Sequence, residues 1–272
     1  MQISNNTFNI IEGDSRERLK DLDSNSVQCI ITSPPYWGLR DYNHVKQIGL
    51  EPFLDDYLTQ LEHVFNELYR ILKPDGVLFL IIGDGYTSGN RKYRAIDKKN
   101  PSRYLKKRPN TPKGLKKKDL IGIPWRLAFL LQQNGWYLRD DIIWHKPNAM
   151  PESVKDRPYR SHEYIFMFSK SEKYYFDLSK LKDSNNKTLR SVWSINTSSK
   201  STIHSATFPI ELVKNCILSS TRPFDFILDP FCGIGTVGKA CIETERRFIG
   251  VEINSRYAND TIENLKRTLF ND

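Results

Sequence analysis

Short β-branched and apolar runs alternate along this 272-residue chain with stretches whose apolar positions recur every three to four residues. That alternation predicts strands and amphipathic helices in turn, the pattern of an α/β sheet. Val27–Ile31 is a predicted strand running into Thr32-Ser33-Pro34-Pro35-Tyr36. Two successive prolines cannot continue a ladder, so the chain must leave the sheet there as a stiff, extended loop. From Asp55 to Leu72, the residues Leu58, Leu61, Phe65, Leu68 and Leu72 fall on one helical face, and Lys73-Pro74-Asp75-Gly76 stops the helix. Val77–Ile82 reads as a buried strand ending at Gly83-Asp84. Pro124–Gln133 is a predicted helix closed by Gly135, with Trp125 and Trp136 assigned to the core. Ile142–Trp144 and Tyr164–Phe168 are further strands, and Pro209–Leu218 a further helix. Phe226–Leu228, a glycine turn, a helix around Lys239, the strand Phe248–Ile253 and a helix from about Ser255 complete the reading.

A hydrophobic share of 39% with 12% aromatics excludes global disorder, and the length suits one domain with a substantial core. No apolar run approaches the ~18 residues that a membrane helix needs, and no signal-peptide pattern is evident, so a cytoplasmic protein is expected. Cys29, Cys216, Cys232 and Cys241 form no C-x-x-C pair and have no histidine at zinc spacing, so no structural metal is expected.

Charge changes the picture. The net charge is +9, but residues 88–118 alone hold 13 Lys+Arg against Asp97, whereas the rest of the chain carries 28 basic and 31 acidic residues. Pro101, Pro109, Pro112 and Gly114 make this segment a long loop. A solvated basic loop is one reading. A polyphosphate partner explains the concentration better, with Tyr93 and Tyr104 as stacking surfaces for bases.

Near the C-terminus a predicted strand, then Asp229-Pro230-Phe231-Cys232-Gly233-Ile234-Gly235-Thr236-Val237-Gly238, a helix and a strand ending near Glu252 form a βαβ unit. Gly233, Gly235 and Gly238 fit G-x-G-x-x-G, and Glu252 lies where an acidic side chain accepts bonds from ribose hydroxyls. Asp229 would repel a pyrophosphate but attract an ammonium, and no second dinucleotide-binding half follows. S-adenosylmethionine, with an adenosine, a ribose diol, an ammonium and no phosphate, suits this loop better than a nicotinamide dinucleotide.

With Ser33-Pro34-Pro35-Tyr36 and Asp229-Pro230-Phe231-x-Gly233-x-Gly235 both present, the chain resembles the amino-methyltransferases of DNA. Gly13-Asp14, Lys73–Gly76, Trp144-His145-Lys146-Pro147, Pro151–Val154 and Ala206-Thr207-Phe208-Pro209 belong to the same resemblance. It implies a Rossmann-like S-adenosylmethionine-dependent methyltransferase fold, a mostly parallel twisted sheet with helices on both faces. The catalytic loop precedes the cofactor loop, the permuted β-type order. The whole of 1–272 is then one methyltransferase domain, with a basic DNA-contacting insertion at about 88–118 and a target-recognition segment at about 180–203.

The resemblance implies transfer of a methyl group from S-adenosylmethionine to an exocyclic amino nitrogen in double-stranded DNA, as in a restriction-modification system. An exocyclic amine is a poor nucleophile because its lone pair is delocalised into the ring. The Ser33 hydroxyl and the Pro34 carbonyl, held by Pro35, would accept its N–H bonds and aim the lone pair, while Tyr36 stacks on the flipped base. Ser33 favours cytosine N4; adenine N6 and a non-catalytic DNA-binding protein are the alternatives. Asp229, Phe231, Gly233, Gly235, Thr236, Glu252, Phe208 and Asp14 are the expected cofactor residues, with Asp14 equally readable as a helix N-cap. Arg103, Lys106, Lys107, Arg108, Lys116, Lys117 and Lys118 are expected on DNA. No Pro-Cys pair offers a nucleophile for carbon-5 chemistry, and Cys232 reads as a packing residue. A membrane partner is not expected; a homodimer and a separately acting companion endonuclease are left open.

Overall fold

A computed structural model describes residues 7–88, 93–95, 104–183, 185–197 and 208–270. Eight strands form one sheet in the order β1-β8-β7-β2-β3-β5-β4-β6. These are β1 (Phe8–Glu12), β2 (Val27–Thr32), β3 (Leu72–Ile82), β4 (Tyr137–His145), β5 (His162–Ser169), β6 (Val192–Ser194), β7 (Phe226–Asp229) and β8 (Arg247–Glu252). Every neighbouring pair is parallel except those made by β5, which runs antiparallel to both β3 and β4.

The helices are α1 (Ser15–Arg18), α2 (Leu54–Ile71), α3 (Ile123–Gln133), α4 (Ile210–Ser220), α5 (Thr236–Glu243) and α6 (Ser255–Phe270). They cover both faces. Strand side chains alternate between two cores: Cys29 and Ile31 of β2 join α4, α5 and α6, whereas Ile30 joins α2 and α3. In α2, Leu54, Tyr57, Leu61, Val64, Phe65, Leu68 and Ile71 are all buried. Asp55 and Asp56 in its first turn and Arg70 in its last suit the helix dipole.

The predicted elements are present, with instructive differences. β3 begins at Leu72, not Val77: the partner of Val27 is Leu72 and that of Cys29 is Val77, so Lys73–Gly76 bulges within the strand. A side chain at Gly76 would meet Leu72 and, at 2.9 Å, the Gln28 carbonyl, which explains the glycine. β4 and β5 are longer than their apolar cores because one extends the other as an antiparallel pair. The short β1 and β6 were absent from the periodicity reading. Three residues of the expected recognition segment, Val192–Ser194, are sheet edge: β6 pairs with β4, and Trp193 is buried in the core.

Candidate active site

From β7 the chain proceeds through α5 to β8 on one side, and from β2 through α2 to β3 on the other. The β7/β2 boundary is therefore where the strand order reverses, the place where open α/β sheets bind ligands beyond their carboxyl ends. Both sequence motifs lie there. Ser33 follows the last residue of β2, Asp229 is the last residue of β7, and Glu252 ends β8. Asp14 follows β1, whose Glu12 pairs with Glu252. Four neighbouring parallel strands thus bring the catalytic and cofactor loops to one rim.

A hydrogen bond joins Asp229 to the residue just before Ser33. The Thr32 hydroxyl donates to Asp229 Oδ1 at 2.9 Å, and the Phe231 amide donates to the same oxygen at 3.0 Å. Asp229 is only 2% exposed, and burial pushes its carboxyl up to about 7 despite both bonds. Glu252 is in a similar state, raised by burial to about 7, with Oε2 accepting from the Gly233 amide and Oε1 from the Asn254 amide. These are two enclosed carboxylates without a paired cation in the described contacts, an arrangement that calls for a ligand carrying an ammonium or hydroxyls.

The glycine loop leaves room for such a ligand. Gly233 has φ +53°, and a Cβ added there would meet nothing within 4 Å. Gly235, at φ +83°, is the N-cap of α5, and a Cβ there would lie 2.7 Å from Thr261 Cγ2. Gly238 has the packing role of a third motif glycine, since a Cβ would lie 2.6 Å from Phe248 Cδ1. The Thr261 hydroxyl holds the Gly233 carbonyl at 2.6 Å. Thr236 opens α5, Phe231 packs against the α2/α3 core, and Phe208 against the α4–α6 core. Cys232 is buried with its sulfur against Gly250, as a packing residue.

Asp14 is the N-cap of α1, accepting from the Arg16 amide at 3.0 Å and from the Arg16 side chain. Burial opposes its charge, but these bonds hold the carboxyl below its ordinary range. The Ser15 hydroxyl donates to the Pro230 carbonyl, tying α1 to the cofactor loop.

The catalytic loop is fixed from beneath. Tyr57 of α2 donates its hydroxyl to the Pro35 carbonyl at 2.9 Å, and Trp37 Nε1 donates to the Glu51 carbonyl at 2.9 Å. Tyr36 donates to Glu163 Oε2 at 2.9 Å, and burial keeps its phenol protonated well above the usual range. Beside Tyr36 opens a cavity of about 130 Å³ lined by Gly83, Asp84, Arg108 and Pro109 among others.

That lining brings the basic segment to the site. Its Pro109 ring packs so closely on Gly38 that a Cβ there would lie 2.7 Å away, and the Asn110 amide donates to the Pro52 carbonyl. Leu105 is buried, whereas Lys106, Lys107, Lys116, Lys117 and Lys118 are exposed. Lys118 pairs with Asp156 at 2.5 Å and Lys116 lies 3.6 Å from Asp119. Arg91, Lys92, Asp97, Lys98, Lys99, Pro101 and Arg103 lie outside the described residues, as do Ala206 and Thr207.

Thr32, Ser15, Tyr57, Lys146, Glu163 and Thr261 escaped the sequence reading as parts of this site. Thr32 carried a signal, as a hydroxyl ending an otherwise apolar strand next to the motif, and Lys146 stood in Trp144-His145-Lys146-Pro147.

A family model described as DNA methylase matches residues 27–263. Type II methyltransferase M.Cfr9I of Citrobacter freundii is 55% identical over 265 residues, which cover 96% of this chain and 88% of that protein. Type II methyltransferase M.SmaI of Serratia marcescens is 51% identical, over 95% of this chain and 90% of that protein. Among solved structures, the cytosine-N4-specific PvuII DNA methyltransferase superposes with a TM-score of 0.71 at 20% identity, covering 98% of this chain and 94% of that one. The M1.HpyAVI complex with SAM gives 0.64 at 23% identity, covering 95% and 98%. With both motifs meeting at the sheet's switch point and the family model spanning most of its length, the chain belongs to the DNA methylase family.

Proposed function

We propose that the protein transfers a methyl group from S-adenosylmethionine to cytosine N4 in a specific sequence of double-stranded DNA, as the modification half of a restriction-modification system. The observation that carries this reading is the Thr32–Asp229 hydrogen bond, because it joins a cation-seeking carboxylate to the residue that precedes the motif expected to hold the amine. Asp229 accepts the cofactor's ammonium, Glu252 its ribose hydroxyls, and Phe231 and Phe208 flank it, while Gly233 and Gly235 let the backbone approach. Thr236 adds a hydroxyl at the start of α5, and Asp14 acts through α1, which braces the loop. Bound there, the cofactor supplies a methyl group activated by its sulfonium.

The remaining work falls to the chain's own side chains. Ser33 Oγ and the Pro34 carbonyl accept the two N–H bonds of the target amine, so that its lone pair leaves the ring plane. Pro35, fixed by Tyr57, keeps those acceptors in place, and Tyr36 stacks on the base after it leaves the duplex. Cytosine is favoured over adenine because Ser33 stands where adenine-modifying relatives of this resemblance mostly carry Asp. Lys106, Lys107, Arg108, Lys116, Lys117 and Lys118, with Arg103, lie along phosphates. The names of the relatives, Type II methyltransferases, support the restriction-modification setting. Incubation with radiolabelled S-adenosylmethionine and unmodified bacterial DNA tests the reading: label must enter DNA, and cofactor binding without transfer would favour the non-catalytic alternative.

A further inference from the structure

One pair of charged side chains beside the Ser33–Tyr36 loop, Glu163 and Lys146, has no functional role in the account so far. Glu163 is the second residue of β5 and pairs across the sheet with Trp144 of β4. Because Tyr164 pairs with Ile82, Glu163 sits level with Gly83, just past the end of β3. Lys146 follows β4, and its Nζ lies 2.5 Å from Glu163 Oε1 and 4.1 Å from the centre of the Trp144 ring. The two side chains are 17% and 21% exposed.

An interstrand ion pair alone would explain neither the second carboxylate oxygen nor the glycine. Glu163 divides its oxygens: Oε1 takes the lysine, and Oε2 reaches the catalytic loop to accept the Tyr36 hydroxyl at 2.9 Å. At Gly83 an added Cβ would lie 3.1 Å from both Tyr36 Cε2 and Glu163 Cγ, so a side chain there would crowd both partners. The backbone of the loop is already fixed by Tyr57, yet a tyrosine ring still turns about its own side-chain torsions. The phenol oxygen lies on the ring's own axis, so a hydrogen bond there fixes where the side chain points, and one to a carboxylate is among the stronger kinds. Lys146 occupies the carboxylate on its far side, which leaves the other oxygen to hold the phenol.

We infer that Glu163, oriented by Lys146, is a positioning residue that fixes where the Tyr36 ring stands for the extrahelical base. The inference rests on the stacking role proposed for Tyr36. A ring fixed before DNA arrives has less ordering to lose on binding, so removal of the pin weakens capture of the base and leaves cofactor binding intact.

The test uses the full chain and DNA whose modified site has been located by sequencing, with 2-aminopurine at the target position to report flipping. Tyr36→Phe retains both the ring and the Glu163–Lys146 pair, so it separates lost positioning from lost folding. Tyr36→Phe and Glu163→Ala should each raise KM for DNA roughly ten-fold and diminish the fluorescence gain. S-adenosylmethionine affinity should stay within about two-fold for both, since among the described residues the partners of these side chains lie away from 229–235. Both variants remove the bond to Glu163, and Tyr36→Phe also loses the phenol's contacts with Ser33 and the Gly83 backbone, so the double variant should be no worse than Tyr36→Phe alone. Glu163→Gln with Lys146→Met, which keeps an acceptor for the phenol without burying an unpaired charge, should restore most of the flipping signal. Multiplicative defects in the double variant, or wild-type behaviour of Tyr36→Phe, would overturn the inference. Tyr36→Ala tests the stacking role separately: if that variant flips and methylates normally, the stacking role itself fails and takes the inference with it.

Discussion

With Asp229 holding the ammonium as proposed, S-adenosylmethionine binding should depend on pH in a calculable way. The Asp229 carboxyl is pushed up to about 7 by burial, so in the ligand-free protein it holds a proton over much of the mildly acidic range. An ammonium requires the ionised form. Between pH 5.5 and 7 the ionised fraction of such a group climbs from roughly 3% to half, so affinity should rise about fifteen-fold. The ligand's own amine, an α-amino group, stays protonated throughout that window. Glu252, also near 7, adds a smaller dependence, because a protonated carboxyl still offers one oxygen to a ribose hydroxyl. Calorimetry of S-adenosylmethionine binding from pH 5.5 to 7 measures the slope, and Asp229→Asn isolates its source. The amide retains an acceptor for Thr32 and Phe231, so the fold is kept while the charge is lost. Affinity in the variant should be low and nearly flat with pH. Stability carries the opposite sign: the folded state holds a proton that the unfolded chain releases above its ordinary value of 3.8, so this group makes the ligand-free protein less stable as pH rises from about 4 to about 7. Asp229→Asn should remove that share of the decline. A flat wild-type profile, or an undiminished slope in Asp229→Asn, would refute the role given to this carboxylate.

Gly235→Val forces a β-branched residue to φ +83° and against Thr261, so it should abolish measurable cofactor binding by calorimetry and lower the melting temperature. Tyr57→Phe removes the bond to the Pro35 carbonyl and should cost about 1 kcal/mol in denaturant unfolding while slowing methyl transfer more than it changes cofactor affinity. Changing Lys106, Lys107, Arg108, Lys116, Lys117 and Lys118 together to Gln should make the slope of log DNA affinity against log salt shallower by roughly 3 to 4, less than six full phosphate contacts, because Lys118 and Lys116 already face acids. An unchanged slope would return the segment to a solvated loop.

What was legible in the sequence follows from what local pattern encodes. The α2 stripe and the Gly135 stop were readable because helical spacing and a positive-φ glycine are properties of neighbouring residues. The motif loops were readable because prolines and glycines at fixed offsets dictate backbone geometry. The Lys73–Gly76 bulge was not, since register depends on the partner strand, and Gln28 contributes the contact that demands Gly76. Thr32 and Asp229 are 197 positions apart, so only the placement of β2 beside β7 reveals their bond. The same holds for Tyr36 and Glu163, 127 positions apart. Arg16 could not be read as the partner of Asp14 without the α1 turn that folds it back, and that turn favours a capping role for this aspartate. The segment 180–203 was read as target recognition, whereas the buried Trp193 gives part of it an architectural cause.

The central claim is that this active site methylates an exocyclic amine of cytosine, and the product states it most directly. DNA from cells expressing the protein, digested to nucleosides and analysed by mass spectrometry beside DNA from cells expressing Ser33→Ala, should contain N4-methylcytosine that is much reduced in the variant. N6-methyladenine alone would move the target to adenine while leaving the site intact. DNA with no methylated amino group at all, from a protein that still binds S-adenosylmethionine, would contradict the account.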